Sequence, residues 1–445
     1  MRPTRTIVVG AGMSGLVRAR ALASRGEDVI LLESSARPGG AVRTERKDGF
    51  LLELGPNTVR PTPELWALVG EIGLRDEALL ADPRLPRYVE WRGGLHALPM
   101  SPGSLVKTPL LSARGKLRLF AEPFARRGAD AEESVHAFFA RRLGAEIADR
   151  FIEPFVGGIF AGSSRELSIS AAFPTLARWD REHGGLLRGA LADRKKTPRD
   201  RRVPRGLLSF REGLEALPRA LAASLGGRLE TGTRLESLTP LPGGRWKLST
   251  PRGESEADRV VLASPAWEAA RLVRSFAPEA ADALASIPHP FLAVVHVNVP
   301  LASLPRPFHG FGHLVVPQEG RRILGAVWSS SLFSGRAPGG QALVTVFLGG
   351  SRDPEAETLS DEDLVKIAVS DTGSALGAAD GLRAVSITRY ARSIPQYVAG
   401  HLRRIDVVAR AEERWPGLTF LGNYRGGVSV GDVVRQASLP EAAPV

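Results

Sequence analysis

The sequence predicts an α/β protein, α+β over the chain as a whole, in which one doubly wound parallel unit is assembled from separated stretches of chain. Three observations predict it. A β-branched run, a glycine turn and a helical pattern follow one another within residues 6–25. Two later stretches, Arg259 to Pro265 and Leu418 to Asn423, read again as a strand running into a turn. Residues from about 290 to 350 alternate strongly (Leu292 to Val299, His313 to Val316, Leu343 to Leu348), as a sheet with one face on a core requires. At 445 residues, 43% hydrophobic and 24% charged, the chain suits two or three packed units of roughly 150 residues and excludes a disordered protein.

Taken in order, Thr6 to Val9 reads as strand, Gly10-Ala11-Gly12-Met13-Ser14-Gly15 as turn, and Leu16 to Arg25 as the helix that leaves it. Gly10 permits the tight turn, Gly12 lets backbone N–H groups reach an anion at the helix N-terminus, and Gly15 lets helix and strand approach. The chain returns as Val29 to Leu32 and ends in Glu33, eighteen residues past Gly15 and placed to accept from a ribose hydroxyl. Together these specify a Rossmann-like dinucleotide site with an unphosphorylated ribose. The next stretch, Ala36-Arg37-Pro38-Gly39-Gly40-Ala41-Val42-Arg43-Thr44, followed by Glu53-Leu54-Gly55-Pro56-Asn57, resembles the FAD-binding fold of the amine oxidase and phytoene desaturase superfamily. That resemblance implies a non-covalent, extended and deeply buried FAD with Arg43 near its phosphates. Beyond residues 10–15, the cofactor contacts it implies are Glu33, Ser34, Gly40, Ala41, Arg43, Gly55, Pro56, Asn57, Thr58, Leu235, Val428, Ser429 and Val430. Ala41 and Asn57 stand at positions that vary among such proteins.

The FAD-binding domain is expected to be discontinuous, comprising residues 1–79, 206–265 and 406–445. Gly206 to Leu221 reads as an extended entry and an amphipathic helix, Arg228 to Leu238 and Trp246 to Ser249 as short strands, and Gly426-Gly427-Val428-Ser429-Val430-Gly431-Asp432 as a glycine turn opening a helix. The N-terminus of that helix could face the pyrimidine end of the flavin. Residues 80–205 read as a mainly helical insertion, and 266–405 as a substrate-binding domain holding a mixed sheet.

Cysteine is absent, which excludes disulfides, thiolate metal sites, a Cys nucleophile and a CxxC pair, so redox chemistry must come from a bound cofactor. No metal-ligand cluster is needed. The net charge is +11, and residues 188–211 hold nine Lys/Arg against Asp193 and Asp200. Because 52 of the 59 basic residues are arginine, compositional bias outweighs nucleic acid as the cause; interleaved aromatics are missing from the basic stretch. No apolar run reaches the roughly 18 residues of a spanning helix, and a folded motif starts at Ile7, so a cytoplasmic protein is expected. Leu105, Val106, Leu110, Leu111, Leu117, Leu119, Phe120 and Phe124 interleave with Lys107, Arg114, Lys116, Arg118, Arg126 and Arg127. This pattern suits peripheral contact with anionic lipid on the inner face of the cell membrane, or equally a helix packed on the substrate domain.

Phe155-Val156-Gly157-Gly158-Ile159-Phe160-Ala161-Gly162-Ser163-Ser164-Arg165-Glu166-Leu167-Ser168-Ile169, with supporting stretches at residues 93–99, 310–314, 394–397 and 427–432, is similar to the signature of the oxygen-dependent protoporphyrinogen oxidases. The resemblance runs from about residue 5 to 436. It implies oxidation of protoporphyrinogen IX to protoporphyrin IX in three flavin turnovers, with O2 reoxidising the flavin and hydrogen peroxide released, in haem biosynthesis. On this resemblance Arg87 pairs with a substrate propionate, Phe311 and Leu314 sandwich a pyrrole ring, and the Gly158 carbonyl faces the substrate; Gly157 stands at a variable position. A guanidinium suits a carboxylate because it binds bidentately. His313 reads as a hydrogen-bonded structural residue ahead of a proton acceptor. Oxidation of coproporphyrinogen III stays open as an alternative, and amine oxidation as a more distant one, since four tyrosines offer little for an aromatic cage. The sequence leaves the oligomeric state open.

Overall fold

The computed structural model describes residues 4–128, 132–196 and 200–439; Arg199 of the basic stretch and the ends of the two terminal FAD segments lie outside the described residues. A five-stranded parallel sheet runs in the order Leu418–Phe420, Arg259–Leu262, Arg5–Val9, Asp28–Leu32, Leu229–Glu230. Its strands read as apolar runs because both faces are covered, which is why Val8, Leu31 and Val261 are fully buried. Helices Met13–Ser24, Ala216–Leu225 and Val430–Ser438 fill one face through Leu16, Leu217 and Val434. On the other face, Trp246 and Leu248 of an antiparallel three-stranded sheet join helices Ala266–Val273, Pro278–Ala285 and His401–Arg414. The first two of these helices fall in the stretch read as substrate domain, yet their buried sides belong to this core.

A seven-stranded mixed sheet runs in the order Arg383–Tyr390, Leu292–Pro300, Gln341–Gly349, Ile323–Val327, Gly312–Val315, Arg87–Trp91, Gly94–Ala97. All its pairings are antiparallel except that of Gly312–Val315 with Arg87–Trp91. Two strands therefore come from the stretch read as mainly helical. Their parallel partner lies more than two hundred residues away, and local periodicity carries no record of it. One face of the sheet is dry: Val295, Val344 and Val346 bury against Leu364 and Ala368 of helix Asp361–Leu376. The opposite face carries buried His296, Asn298 and Thr345 and meets the strand Phe50–Glu53, where His296 Nε2 lies 3.1 Å from the Glu53 carbonyl.

The remaining described residues between 98 and 205 are mainly helical and pack Phe138, Val156 and Phe160 into a core that Tyr397, from later in the chain, completes. A π-helical turn at Ala148–Ile152 leads into helix Glu153–Phe160. That helix stops because Ala161 takes a left-handed conformation (φ 51°), held by a 2.8 Å hydrogen bond from the Ser351 N–H to the Ala161 carbonyl. A non-glycine residue in this region costs of order 1 kcal/mol, which surrounding contacts must offset. The segment read as a lipid-facing surface divides in two. Leu110 and Leu111 are buried, a correction to their reading as surface residues: Leu110 packs with Val89 and Val316 beneath the mixed sheet's edge. Val106, Leu117, Phe120 and Phe124 remain 67–86% exposed.

Candidate active site

At the dinucleotide end, each glycine answers to a different constraint. Gly10 has φ +101°, and a Cβ on it would lie 2.9 Å from the Ala263 carbonyl; a Cβ on Gly15 would lie 1.9 Å from the Gly10 carbonyl. Gly12 differs. It caps helix Met13–Ser24 with no side chain to bond the first N–H groups, and nothing lies within 4 Å of where its Cβ would be. The helix thus presents free donors and a positive dipole end to open space, an anion cradle. The Gly39–Gly40 turn closes against it: Gly39 N–H donates to the Ala11 carbonyl at 2.7 Å, and a Cβ on Gly40 would lie 3.3 Å from Gly12 Cα. Glu33 sits at the mouth, Oε2 accepting from Ala11 N–H at 2.7 Å and Oε1 from Ser35 N–H at 2.8 Å, with Ser34 Oγ 3.3 Å away. Leu235 is buried, and its carbonyl accepts from Arg271 at 2.8 Å. Arg43 is exposed, its nearest carboxylate Glu45 at 3.8 Å. These residues fit a dinucleotide: open space over a helix N-terminus, with a carboxylate one strand away.

The second end begins at Glu53. This carboxyl is buried, accepts from Thr44 Oγ1 (2.7 Å) and Leu214 N–H (2.8 Å), and is pushed up to about 7 by burial, with those two bonds and Arg336 opposing. Gly55 touches the Ala41 backbone so closely that a Cβ would lie 1.9 Å from the Ala41 carbonyl. Past Pro56, Asn57 donates to the Gly55 carbonyl (3.2 Å) and accepts from Ser329 Oγ (3.3 Å), which in turn bonds Thr345 Oγ1 (2.8 Å). Thr58 is half-buried on the same loop. Ser429 caps helix Val430–Ser438, accepting from Asp432 N–H at 3.1 Å. The preceding turn is held by Tyr397, whose hydroxyl accepts from Gly427 N–H (2.9 Å) and donates to the Asn423 carbonyl (2.6 Å); Val428 packs beside it.

The polar face of the mixed sheet adjoins this second end through His296 and Ser329. Arg87 pairs in register with Gly312, and its Cζ lies 5.2 Å from the centroid of the Phe311 ring. Two residues along, Leu314 faces helix Glu153–Phe160, where a Cβ on Gly158 would strike Leu314 Cδ2 at 2.6 Å. The residues expected to hold substrate are thus brought into two contacting pairs. His313, on the other face of the same strand, is buried; its Nδ1 accepts from Trp328 Nε1 at 3.2 Å, and burial pushes it down to about 4. It is neutral at pH 7 and turned away from Leu314. The sequence reading did not single out Phe347. Leu314 pairs with Gly325 and Gly325 with Phe347, so the two side chains flank a bare glycine in one cross-strand row. In a strand otherwise buried from Ala342 onward, Phe347 alone is half-exposed before Gly349. Strict alternation of Leu343, Thr345 and Phe347 against the dry face was the signal that could have found it.

A dinucleotide cradle on a parallel sheet, together with a second, mixed sheet, is the architecture of a flavoprotein oxidoreductase. The family model for flavin-containing amine oxidoreductases matches residues 13–438, and the chain belongs to that family; its cofactor is FAD. Among curated proteins, the chain is 36% identical to a protoporphyrinogen oxidase of Bos taurus, with 98% of each chain covered. It is 33% identical to the chloroplastic protoporphyrinogen oxidase of Nicotiana tabacum over 97% of this chain and 83% of that one. A crystal structure from Exiguobacterium sp. 255-15, provisionally designated a protoporphyrinogen oxidase, superposes with TM-score 0.81 at 25% identity and 98% coverage of both chains.

Proposed function

We propose that this enzyme oxidises protoporphyrinogen IX to protoporphyrin IX, with O2 as acceptor and hydrogen peroxide as the second product. The observation that carries the reading is the Leu314–Gly325–Phe347 row with the Arg87 guanidinium at one end: an apolar slot for a flat ring, with a cation for a carboxylate at its rim. Relatives bearing that activity in their names, 33–36% identical over nearly the whole chain, support it. Bound FAD would supply a two-electron acceptor for the macrocycle, with O2 as the final oxidant. The protein's part is orientation. Backbone donors ahead of Met13 and the Glu33 carboxylate hold the dinucleotide, and the 55–58 loop and the Ser429-capped helix bound the ring end. Arg87 holds a propionate, and Leu314, Phe347 and the Gly158 backbone fix the macrocycle, with Phe311 backing the guanidinium. Phe347 here takes the aromatic part of the sandwich that the sequence reading gave to Phe311. No side-chain acid or base is required at the reacting carbon.

The same reading assigns residues 1–79, 206–265 and 406–445 to FAD and the mixed sheet to substrate, with helices 266–285 as a buttress of the FAD side. Peripheral contact with an anionic membrane belongs to it too. Val106, Leu117, Phe120 and Phe124 are exposed beside Lys107, Arg114, Lys116, Arg118, Arg126 and Arg127, and no helix among the described residues is long and apolar enough to cross a bilayer. The test is direct: incubate the purified holoenzyme with protoporphyrinogen IX in air and follow porphyrin fluorescence and peroxide. Absence of both above the spontaneous rate refutes the reading.

A further inference from the structure

The turn that leads into helix Val430–Ser438 contains two positive-φ glycines in succession, Gly426 (φ +78°) and Gly427 (φ +131°). Glycine backbone is the least constrained of all, so the place of this turn is set by whatever holds it. Tyr397 holds it at both ends. Its one hydroxyl accepts from the Gly427 N–H at 2.9 Å and donates to the Asn423 carbonyl at 2.6 Å, closing residues 423–427 on a single oxygen. Burial pushes this phenol up, with the Asp432 carboxylate adding to the rise and the Gly427 N–H opposing it, so the hydroxyl stays a donor at neutral pH. A third bond comes from His401, whose Nε2 lies 3.0 Å from the Tyr424 carbonyl. Burial pushes His401 down to about 4, so its ring is neutral at pH 7 and donates from Nε2.

Tyr397 is itself fixed from several sides. Its ring is buried, stacks on His401 with centroids 4.1 Å apart and planes at 15°, and meets Phe160 edge-on at 6.1 Å. Its carbonyl accepts from the Ser168 N–H at 2.8 Å, and the neighbouring Gln396 donates from Nε2 to the Phe160 carbonyl at 2.6 Å. A hydroxyl on so constrained a ring is a fixed point, and a turn bonded to it twice takes its position from that point. Beyond the turn, Ser429 caps a helix of nine residues, whose N-terminus carries partial positive charge and favours an anion.

We propose that Tyr397 is a positioning residue for the cofactor: its hydroxyl fixes the 423–427 turn, and with it how closely the positive end of helix Val430–Ser438 approaches the flavin, which tunes the flavin's redox potential. The proposal rests on the reading above that the Ser429-capped helix bounds the ring end of FAD. Reduction adds negative charge to a flavin, so a helix N-terminus held close favours the reduced form over the oxidised one. Loss of the hydroxyl leaves the Asn423 carbonyl and the Gly427 N–H without their partner and frees the turn to shift.

The test measures the midpoint potential, by equilibration with a reference dye, and the visible spectrum of the bound flavin in holoenzyme of wild type, Tyr397→Phe, Phe138→Leu and Asp432→Asn. Tyr397→Phe keeps the ring and its stack. It should bind reduced flavin about tenfold more weakly relative to oxidised flavin, a fall of about 30 mV in the two-electron potential, and change the shape of the flavin absorption band. Its kcat should fall with KM for protoporphyrinogen within about twofold of wild type. Phe138→Leu loosens the same core away from the turn and should lower Tm while leaving potential and spectrum in place. Asp432→Asn removes a negative charge from the helix end and should raise the potential whether or not Tyr397 acts. A potential and spectrum in Tyr397→Phe equal to wild type, or moved as far by Phe138→Leu, overturns the proposal. If Asp432→Asn still moves the potential in that case, the placement of the helix stands; if neither variant moves it, the placement falls as well. Should Tyr397→Phe fail to fold, His401→Gln, which removes the stacked ring yet keeps a donor for the Tyr424 carbonyl, should lower the potential in the same direction, and a wild-type value there overturns the proposal. None of the flavin readouts needs substrate, so failure of wild type on protoporphyrinogen is seen separately.

Discussion

Replacing Arg87 by alanine separates binding from chemistry. In the structure the guanidinium forms no ion pair among the described residues and rests on the Phe311 ring at 5.2 Å. Stability should therefore change little: a half-exposed cation–π contact contributes about 0.5–1 kcal/mol. With an unfolding entropy of about 2.1 cal/mol/K per residue, that shifts Tm of a chain this long by about 1 °C. The substrate loses more. A charge-assisted, bidentate pair with a propionate contributes about 1.5–3 kcal/mol, so kcat/KM should fall roughly ten- to a hundredfold. The carboxylate binds alike in ground and transition states, remote from the carbon being oxidised, so the loss should fall on KM and leave kcat within a few-fold. Phe347→Ala should instead lower both constants, because the ring fixes how the macrocycle is presented. Steady-state porphyrin fluorescence on variants of equal flavin content decides the matter. An unchanged kcat/KM in Arg87→Ala would return Arg87 to an ordinary surface role and refute the slot model.

The remaining expectations follow from contacts elsewhere. Gly12→Val meets nothing within 4 Å in the protein itself, so the chain should fold and lose FAD, visible as a colourless protein with near-native circular dichroism; full flavin content would count against the cradle. Gly15→Ala, with a Cβ 1.9 Å from the Gly10 carbonyl, should instead lower Tm by several degrees. Glu53 has a folded-state value of about 7 against 4.5 for the free carboxyl. The folded state thus holds more protons between those values, and stability from this group is present below about pH 4.5 and lost as pH rises towards 7, by roughly 3 kcal/mol. Glu53→Gln should flatten the fall of Tm between pH 5 and 7.5; a slope equal to wild type would assign it to other groups. Leu117→Ser, Phe120→Ser and Phe124→Ser together should abolish flotation with anionic vesicles at low salt without altering activity in detergent, and flotation equal to wild type would move the lipid contact elsewhere.

What was legible in the sequence was what local pattern determines. The glycine turn, the acid at Glu33 and the strands at 259–262 and 418–420 follow from short-range sterics and from burial on both faces, so each reads off its own few residues. What needed a distant partner was not legible. The hairpin 87–97 was absorbed into a helical stretch because nothing near it reveals the parallel pairing with 312–315. Leu110 and Leu111 look no different from Leu117 until Val89 and Val316 cover Leu110. Phe311 could be read from its motif, whereas Phe347 is seen to share a row with Leu314 only through cross-strand register.

The slot and the cofactor loop are not independent, and the reason is a short relay of neutral hydrogen bonds. Asn57, two residues past Gly55, accepts from Ser329, and Ser329 bonds Thr345. Ser329 lies two residues beyond Val327, the register partner of Gly312, and Thr345 lies two residues before Phe347 on the same face. The intervening Trp328 donates its N–H to the Phe311 carbonyl at 3.0 Å. The Ser329 hydroxyl therefore ties the 55–58 loop to the strand that carries Phe347, and the neighbouring Trp328 backbone ties the same segment to the strand that carries Leu314. All three groups are neutral and largely buried, so neither salt nor a change of pH near neutrality loosens the tie. Chemistry supplied by a bound FAD would depend on orientation, where a displacement of about 1 Å can cost two orders of magnitude in rate. By burying His296 and Thr345 on the face that meets residues 50–58, the mixed sheet is joined to that segment by directional bonds where apolar packing alone would let the two slide.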